Sequence, residues 1–306
     1  MAISVVSAAG AAWDRMATVC FRPFDIGKWF VLGFCAWLAH LGEGGAHVNV
    51  PMPGDQGGDL SDAFEAASDW VQDHAALVIS LAVLVLLAMI VIGFVLTWLQ
   101  SRGKFMFLDG VVRNRGAVVE PWHAFRELGN SLFWFRVVLG LIGLVAFVVI
   151  AAVGILIALA DILAERFGGA AIAGIAIGGV LLLAYAIAFG IIGALLEDFV
   201  VPVMYRRGVR TVDAWGVFRR EVLPGNGSAL VRFYLLKVLL GIAIGVVALL
   251  ATCCTCCLAA LPYLGTVILL PLFVFGRSYS LGFLEQCGEG WRFLPDEAPL
   301  PPANAT

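Results

Sequence analysis

The sequence predicts an all-α, polytopic transmembrane helical bundle of about six spans, with interfacial amphipathic helices and a parallel two-span internal repeat. Three observations lead there. The 306-residue chain is 61% hydrophobic and only 13% charged, too few charges to cover the surface of a water-soluble domain of that size. Several apolar runs exceed the roughly 20 residues that a helix needs to cross about 30 Å of hydrocarbon. Finally, two basic stretches between those runs resemble each other. Residues 1–287 therefore read as a single transmembrane domain, followed by a Pro-rich cytoplasmic tail over 288–306.

The first residues lack the basic region and the apolar core of a signal peptide. Along 11–21, Trp13, Met16, Val19 and Cys20 fall at helical spacing with Asp14 and Arg15 opposite, as a helix lying in the interface requires. The run from Trp29 is apolar but short, and spans only if 24–28 continue its helix. The second span, 75–99, contains no charge. Further spans are expected over 137–160, 171–196, about 233–252 and about 261–283.

All of the 19 Lys and Arg residues except Arg166 fall at the ends or in the two loops that lie on one side of these spans. The positive-inside rule then places both termini and both basic loops in the cytoplasm. The opposite loop, 42–74, has no Lys or Arg and carries seven acids, among them Glu43 and Asp55. Its second half places Phe64, Trp70 and Val71 at helical spacing, which predicts a short helix on the outer surface.

In the basic loops, "VEPWHAFR" from Val119 parallels "VDAWGVFR" from Val212. "RG" at Arg115 and Arg207 precedes each block, and "RVVLG" at Arg136 and "KVLLG" at Lys237 open the spans that follow. Gly110 and Pro202 hold equivalent places, each expected to break or bend its helix. The two copies, about 100–160 and 192–252, each contain an even number of crossings and so share one orientation. Trp122, Phe125 and Arg126, with Trp215, Phe218 and Arg219, are candidates for contact with anionic headgroups or a partner protein. The plainer reading is that the aromatics only anchor the loop helices.

Cys253, Cys254, Cys256 and Cys257 fall in the turn before the last span. One helical turn cannot close a tetrahedral thiolate site, and adjacent cysteines suit a disulfide badly. Packing is the favoured reading, ahead of a redox pair and a metal. Glu197 and Asp198 are intramembrane acids if their helix continues to Tyr205; otherwise they are headgroup-level acids paired with Arg206, Arg207 or a loop arginine, the reading preferred here. Asp161, Glu165 and Arg166 look solvated. His40, His47 and His74 lack metal-binding spacing. Gly174 and Gly178, and Gly241 and Gly245, form small-residue stripes for helix packing, within the protomer or in a homo-oligomer.

No Walker, zincin or nucleophile-elbow motif occurs, so no catalytic, cofactor or metal residues are assigned. The expected function is a non-catalytic inner-membrane scaffold or lipid-associated subunit, with membrane lipids or a larger membrane complex as partners and no nucleic acid. The rival is a transporter or channel, and after it a membrane enzyme acting on lipids.

The stretches "CFRPFDIGKWFVLGFCAWLAHLG", "EDFVVPVMYRRG", "LPYLGTVILLP" and "RSYSLGFLEQCG" resemble an uncharacterised family of prokaryotic six-helix membrane proteins. That family is distantly similar to the membrane domain of glycerophosphodiester phosphodiesterases and to Yip1-like proteins. The resemblance implies a lipid-associated bundle and brings no catalytic residues, since the phosphodiesterase domain is absent.

Overall fold

A computed structural model describes residues 3–42, 74–164, 168–255 and 261–293. The helix expected before His74, His47, Glu165, Arg166, Cys256, Cys257 and the tail beyond 293 lie outside the described residues.

Among the described residues the elements are helical. Helix α1, Val5–Phe21, starts where Ser4 Oγ accepts the Ser7 N–H at 3.3 Å. Ala8, Ala12, Met16, Val19 and Cys20 make its buried stripe, and Gly282 comes up against Ala8. Trp13, expected on that stripe, is exposed instead. Arg15 donates to the Val111 and Val112 carbonyl oxygens at the end of another helix.

Helix α2, Ile26–Ala39, is capped by Asp25, whose Oδ1 accepts from Gly27 and Lys28 N–H. Its 14 residues reach only about 21 Å, short of a full crossing.

Helix α3, Ala75–Arg113, runs unbroken for 39 residues. Its two halves have different surroundings. Residues 75–95 are apolar and nearly all exposed, whereas every residue from 100 to 112 is buried on all sides. Gly110 does not break it. Gly103 lets α2 approach so closely that a Cβ there would lie 2.6 Å from the Leu38 backbone.

After the left-handed Asn114 (φ 52°) come α4, Val119–Ala124, and α5, Arg126–Leu163. Helix α6, Gly169–Leu195, returns along α5. A Cβ on Gly174 would lie 2.6 Å from the Gly154 carbonyl oxygen, so this glycine sets the spacing of the pair. Gly178 faces Gly154 as well. Asp161 is not solvated, as expected from sequence, but buried, because its Oδ2 accepts the Ala171 N–H at 2.8 Å near the start of α6.

A π-turn, Leu196–Val200, joins α6 to α7, Val201–Arg207. The rod Gly169–Arg207 is 39 residues long, matching α3. Like α3 it ends on a left-handed residue, Gly208 (φ 66°). Then follow α8, Thr211–Val217, a second π-turn, and α9, Gly227–Cys254. Phe105 stacks on Phe125 at 6.1 Å and 22°, and Phe199 on Phe218 at 5.5 Å and 23°.

The expected sixth span is broken at Leu269 into α10, Pro262–Ile268, and α11, Leu270–Glu285. Trp29 Nε1 donates to the Val267 carbonyl oxygen at 2.7 Å, tying α10 to α2. Among the described residues, four helices are long and apolar enough to cross a membrane: Ala75–Arg113, Arg126–Asp161, Gly169–Arg207 and Gly227–Cys254. These four apolar helices suggest a membrane protein, with a buried core at one end of the rods. Gly241 and Gly245 on α9 meet nothing within 4 Å. Cys253 and Cys254, at the end of α9, are free thiols on an exposed surface.

Candidate functional site

The site is built around the π-turn. Pro202 has no N–H to give the Asp198 carbonyl oxygen, and the ladder is already widened there, with Val201 N–H donating back to Leu196. The turn carries Glu197 and Asp198 into the core. Among the described residues their ion pairs run to Lys104, Lys237 and Arg277, not to Arg206 or Arg207, the partners expected from sequence. Arg207 instead bonds Glu221 at 2.9 Å and lies over the Trp291 ring.

Asp198 is 3% exposed. Its carboxylate receives Lys237 Nζ from α9 at 2.5 Å and Ser280 Oγ from α11 at 2.8 Å. Glu197 receives Lys104 Nζ from α3 at 2.8 Å. On its other side Arg277 of α11 donates from Nη1 to the Glu197 carbonyl oxygen at 2.8 Å, while Nη2 stands 3.8 Å from Oε1. Two adjacent acids therefore tie three other helices together. Such pairs hold in a low-dielectric setting because each charge has hydrogen-bonded partners.

Two cavities meet at Glu197. One, of about 250 Å³ between α3, α5 and α6, has Lys104 and Arg136 on its wall with Gly140, Gly143 and Tyr185. The other, of about 260 Å³, is lined by His40, Phe107, Lys237, Phe273, Arg277 and Ser280, with both acids. His40 sits here and packs on Phe273 at 4.7 Å between ring centres.

A second buried acid, Asp109, is 0% exposed. Its oxygens accept from Arg113 Nε at 3.1 Å, Arg115 Nη2 at 2.9 Å and Tyr205 Oη at 2.9 Å. Arg115 continues to Glu120 at 2.7 Å. That guanidinium holds the Glu120 carboxyl below the usual carboxylate range, and the two acids raise Arg115 in turn.

The loop candidates divide. Trp122 turns inward, edge-on to Trp98 at 5.7 Å with the Arg102 guanidinium 4.8 Å from its ring. Phe125 packs on Phe105 and Tyr205, and Phe218 is buried against Phe199. Arg126 and Arg219 stay exposed. Trp215, Phe218 and Arg219 line one hollow of about 470 Å³ with Leu195 and Val212. So the structure groups three candidates of the second loop and uses the two aromatics of the first as anchors, with Arg126 exposed.

Sequence reading missed Lys104, Lys237, Arg277 and Asp109. For two of them a signal was present: Lys237 and Arg277 are lone cations inside runs otherwise apolar enough to span, and such residues need a buried partner. Among the described residues, no group of three or more His, Cys, Asp or Glu is placed to hold a metal ion.

The chain belongs to a family of unknown function, DUF7544, whose model matches residues 3–284. Among the curated proteins and among the solved structures, none matches it. The comparisons lend no support to the more distant likeness to the phosphodiesterase membrane domain or to Yip1-like proteins.

Proposed function

We propose that this chain is a non-catalytic, lipid-associated protein of the inner membrane whose basic loops meet anionic headgroups on the cytoplasmic side. The observation that carries the reading is the hollow of about 470 Å³ in which Trp215, Phe218, Leu195 and Val212 form apolar walls and the exposed Arg219 stands at the edge. An acyl chain suits such walls and a phosphate suits the arginine. In this reading both termini and both basic loops are cytoplasmic.

The reading also includes a parallel duplication. Two 39-residue rods that each end on a left-handed residue and lead into a short helix support it, as do the two matching phenylalanine stacks. The open face of Gly241 and Gly245 leaves room for a second copy or another membrane subunit.

Native mass spectrometry in mild detergent tests the proposal on wild type and on Arg126→Ala with Arg219→Ala. A bound anionic lipid or partner, lost in the double variant, is the expected result. A monomer indifferent to lipid overturns it. A second reading, a small-solute transporter, is favoured by the two cavities that share Glu197. It predicts solute flux in proteoliposomes that Glu197→Gln abolishes.

A further inference from the structure

Among the described residues, the charges of the π-turn cluster do not balance. Lys104, Lys237 and Arg277 face two carboxylates, Glu197 and Asp198, and buried charge calls for a partner. The surplus can be assigned to one residue. Both oxygens of Asp198 are held by Lys237, and Ser280 adds a further bond to one of them. Glu197 is engaged by Lys104 at 2.8 Å. Arg277 is left with a single hydrogen bond, to a carbonyl oxygen, and an ion pair too long at 3.8 Å to be a second one.

A guanidinium offers five N–H donors in a fixed fork. Arg277 is only 7% exposed, yet among the described residues just one of its donors is used. It lines the cavity of about 260 Å³ beside His40, Ser280 and Lys237, with Phe107 and Phe273 as apolar walls. Arginine with spare donors beside apolar walls is the chemistry that takes a planar or tetrahedral oxyanion carried on a small apolar group.

We propose that this cavity is a binding site for a phosphate or carboxylate group, received by the unused edge of Arg277. The site is separate from the hollow at Arg219, so it stands or falls independently of the lipid reading. The oxyanion comes from a lipid headgroup or from a free anion, and the test distinguishes these sources.

The full chain is reconstituted in nanodiscs of phosphatidylcholine alone or with phosphatidylglycerol. Inorganic phosphate is titrated against thermal stability, and bound lipid is counted by native mass spectrometry. Stabilisation by phosphate in phosphatidylcholine discs assigns a free anion. One retained phosphatidylglycerol with no response to phosphate assigns a headgroup.

In either case Arg277→Gln weakens binding by at least about tenfold; lipid is counted in an Arg219→Ala background, so that a headgroup held at the hollow of Arg219 does not enter the count. Absence of both effects in wild type, or equal binding by Arg277→Gln, overturns the proposal. Should Arg277→Gln fail to fold, Glu197→Gln removes the competing carboxylate and is expected to tighten binding by about tenfold. Unaltered affinity in that variant is equally fatal.

Discussion

Asp109 and the Glu197–Asp198 pair use the same ingredients to opposite ends. Asp109 is sealed, with three donors fixed on it and two arginines shared with Glu120, so two cations meet two acids. It lines none of the cavities described above. The pair at the π-turn has three cations around two acids and a cavity on either side. A balanced, filled cluster is a fastening, whereas surplus charge with space beside it is what the proposed oxyanion site requires.

The sharpest way to break this contrast is Asp109→Ala. It leaves Arg113 and Arg115 without their common acceptor, and loss of one member of a buried ion pair costs about 3–5 kcal/mol. Thermal unfolding in detergent should show the largest drop of any variant discussed; an unaltered midpoint would mean that the sealed cluster fastens nothing. Asp198→Asn comes next, at about 1–3 kcal/mol, because Lys237 is 38% exposed and regains some water. Lys237→Met in the same chain should recover part of that loss, as a double-mutant cycle reads directly.

Glu197→Gln should cost about 1–3 kcal/mol: the amide oxygen still accepts from Lys104, but that buried lysine loses its counter-charge. Its main effect belongs to ligand binding or flux, and a stability loss as large as that of Asp109→Ala would erase the distinction. The smallest effect is a pH dependence. Glu120 has a lowered folded pKa from its bond to Arg115, so its contribution is present above the ordinary carboxylate value and fades as pH falls through the folded one. Glu120→Gln should flatten the acid limb of the stability profile slightly; an identical limb would remove Glu120 from the account.

The four long rods were legible because an apolar run of sufficient length has few alternatives once it is exposed on all sides. Span one and span six were harder, since Leu32 and Val274 face protein, not lipid, and composition alone does not distinguish the two surroundings. The acids were legible, and their partners were not. Asp198 meets Lys237 across 39 positions and Ser280 across 82, and counting basic residues by loop had assigned Lys237 and Arg277 to the membrane surface. Asp161 was misread for a related reason: an acid near a turn looks solvated until the unfilled N–H groups of the next helix are considered.

The two rods also differ as mechanical members. Helix α3 keeps its hydrogen-bond ladder intact over 39 residues, roughly 58 Å, and behaves as a stiff shaft from the core to the far end of the apolar zone. Its counterpart of equal length carries a joint, the π-turn at Leu196–Val200 with Pro202 beside it. Bending of that second rod concentrates at the joint, where Glu197 and Asp198 are clamped to three other helices. A load applied to α6 by its surroundings is thus delivered to the cluster of Lys104, Lys237 and Arg277 around those two acids, while the same load on α3 is simply borne.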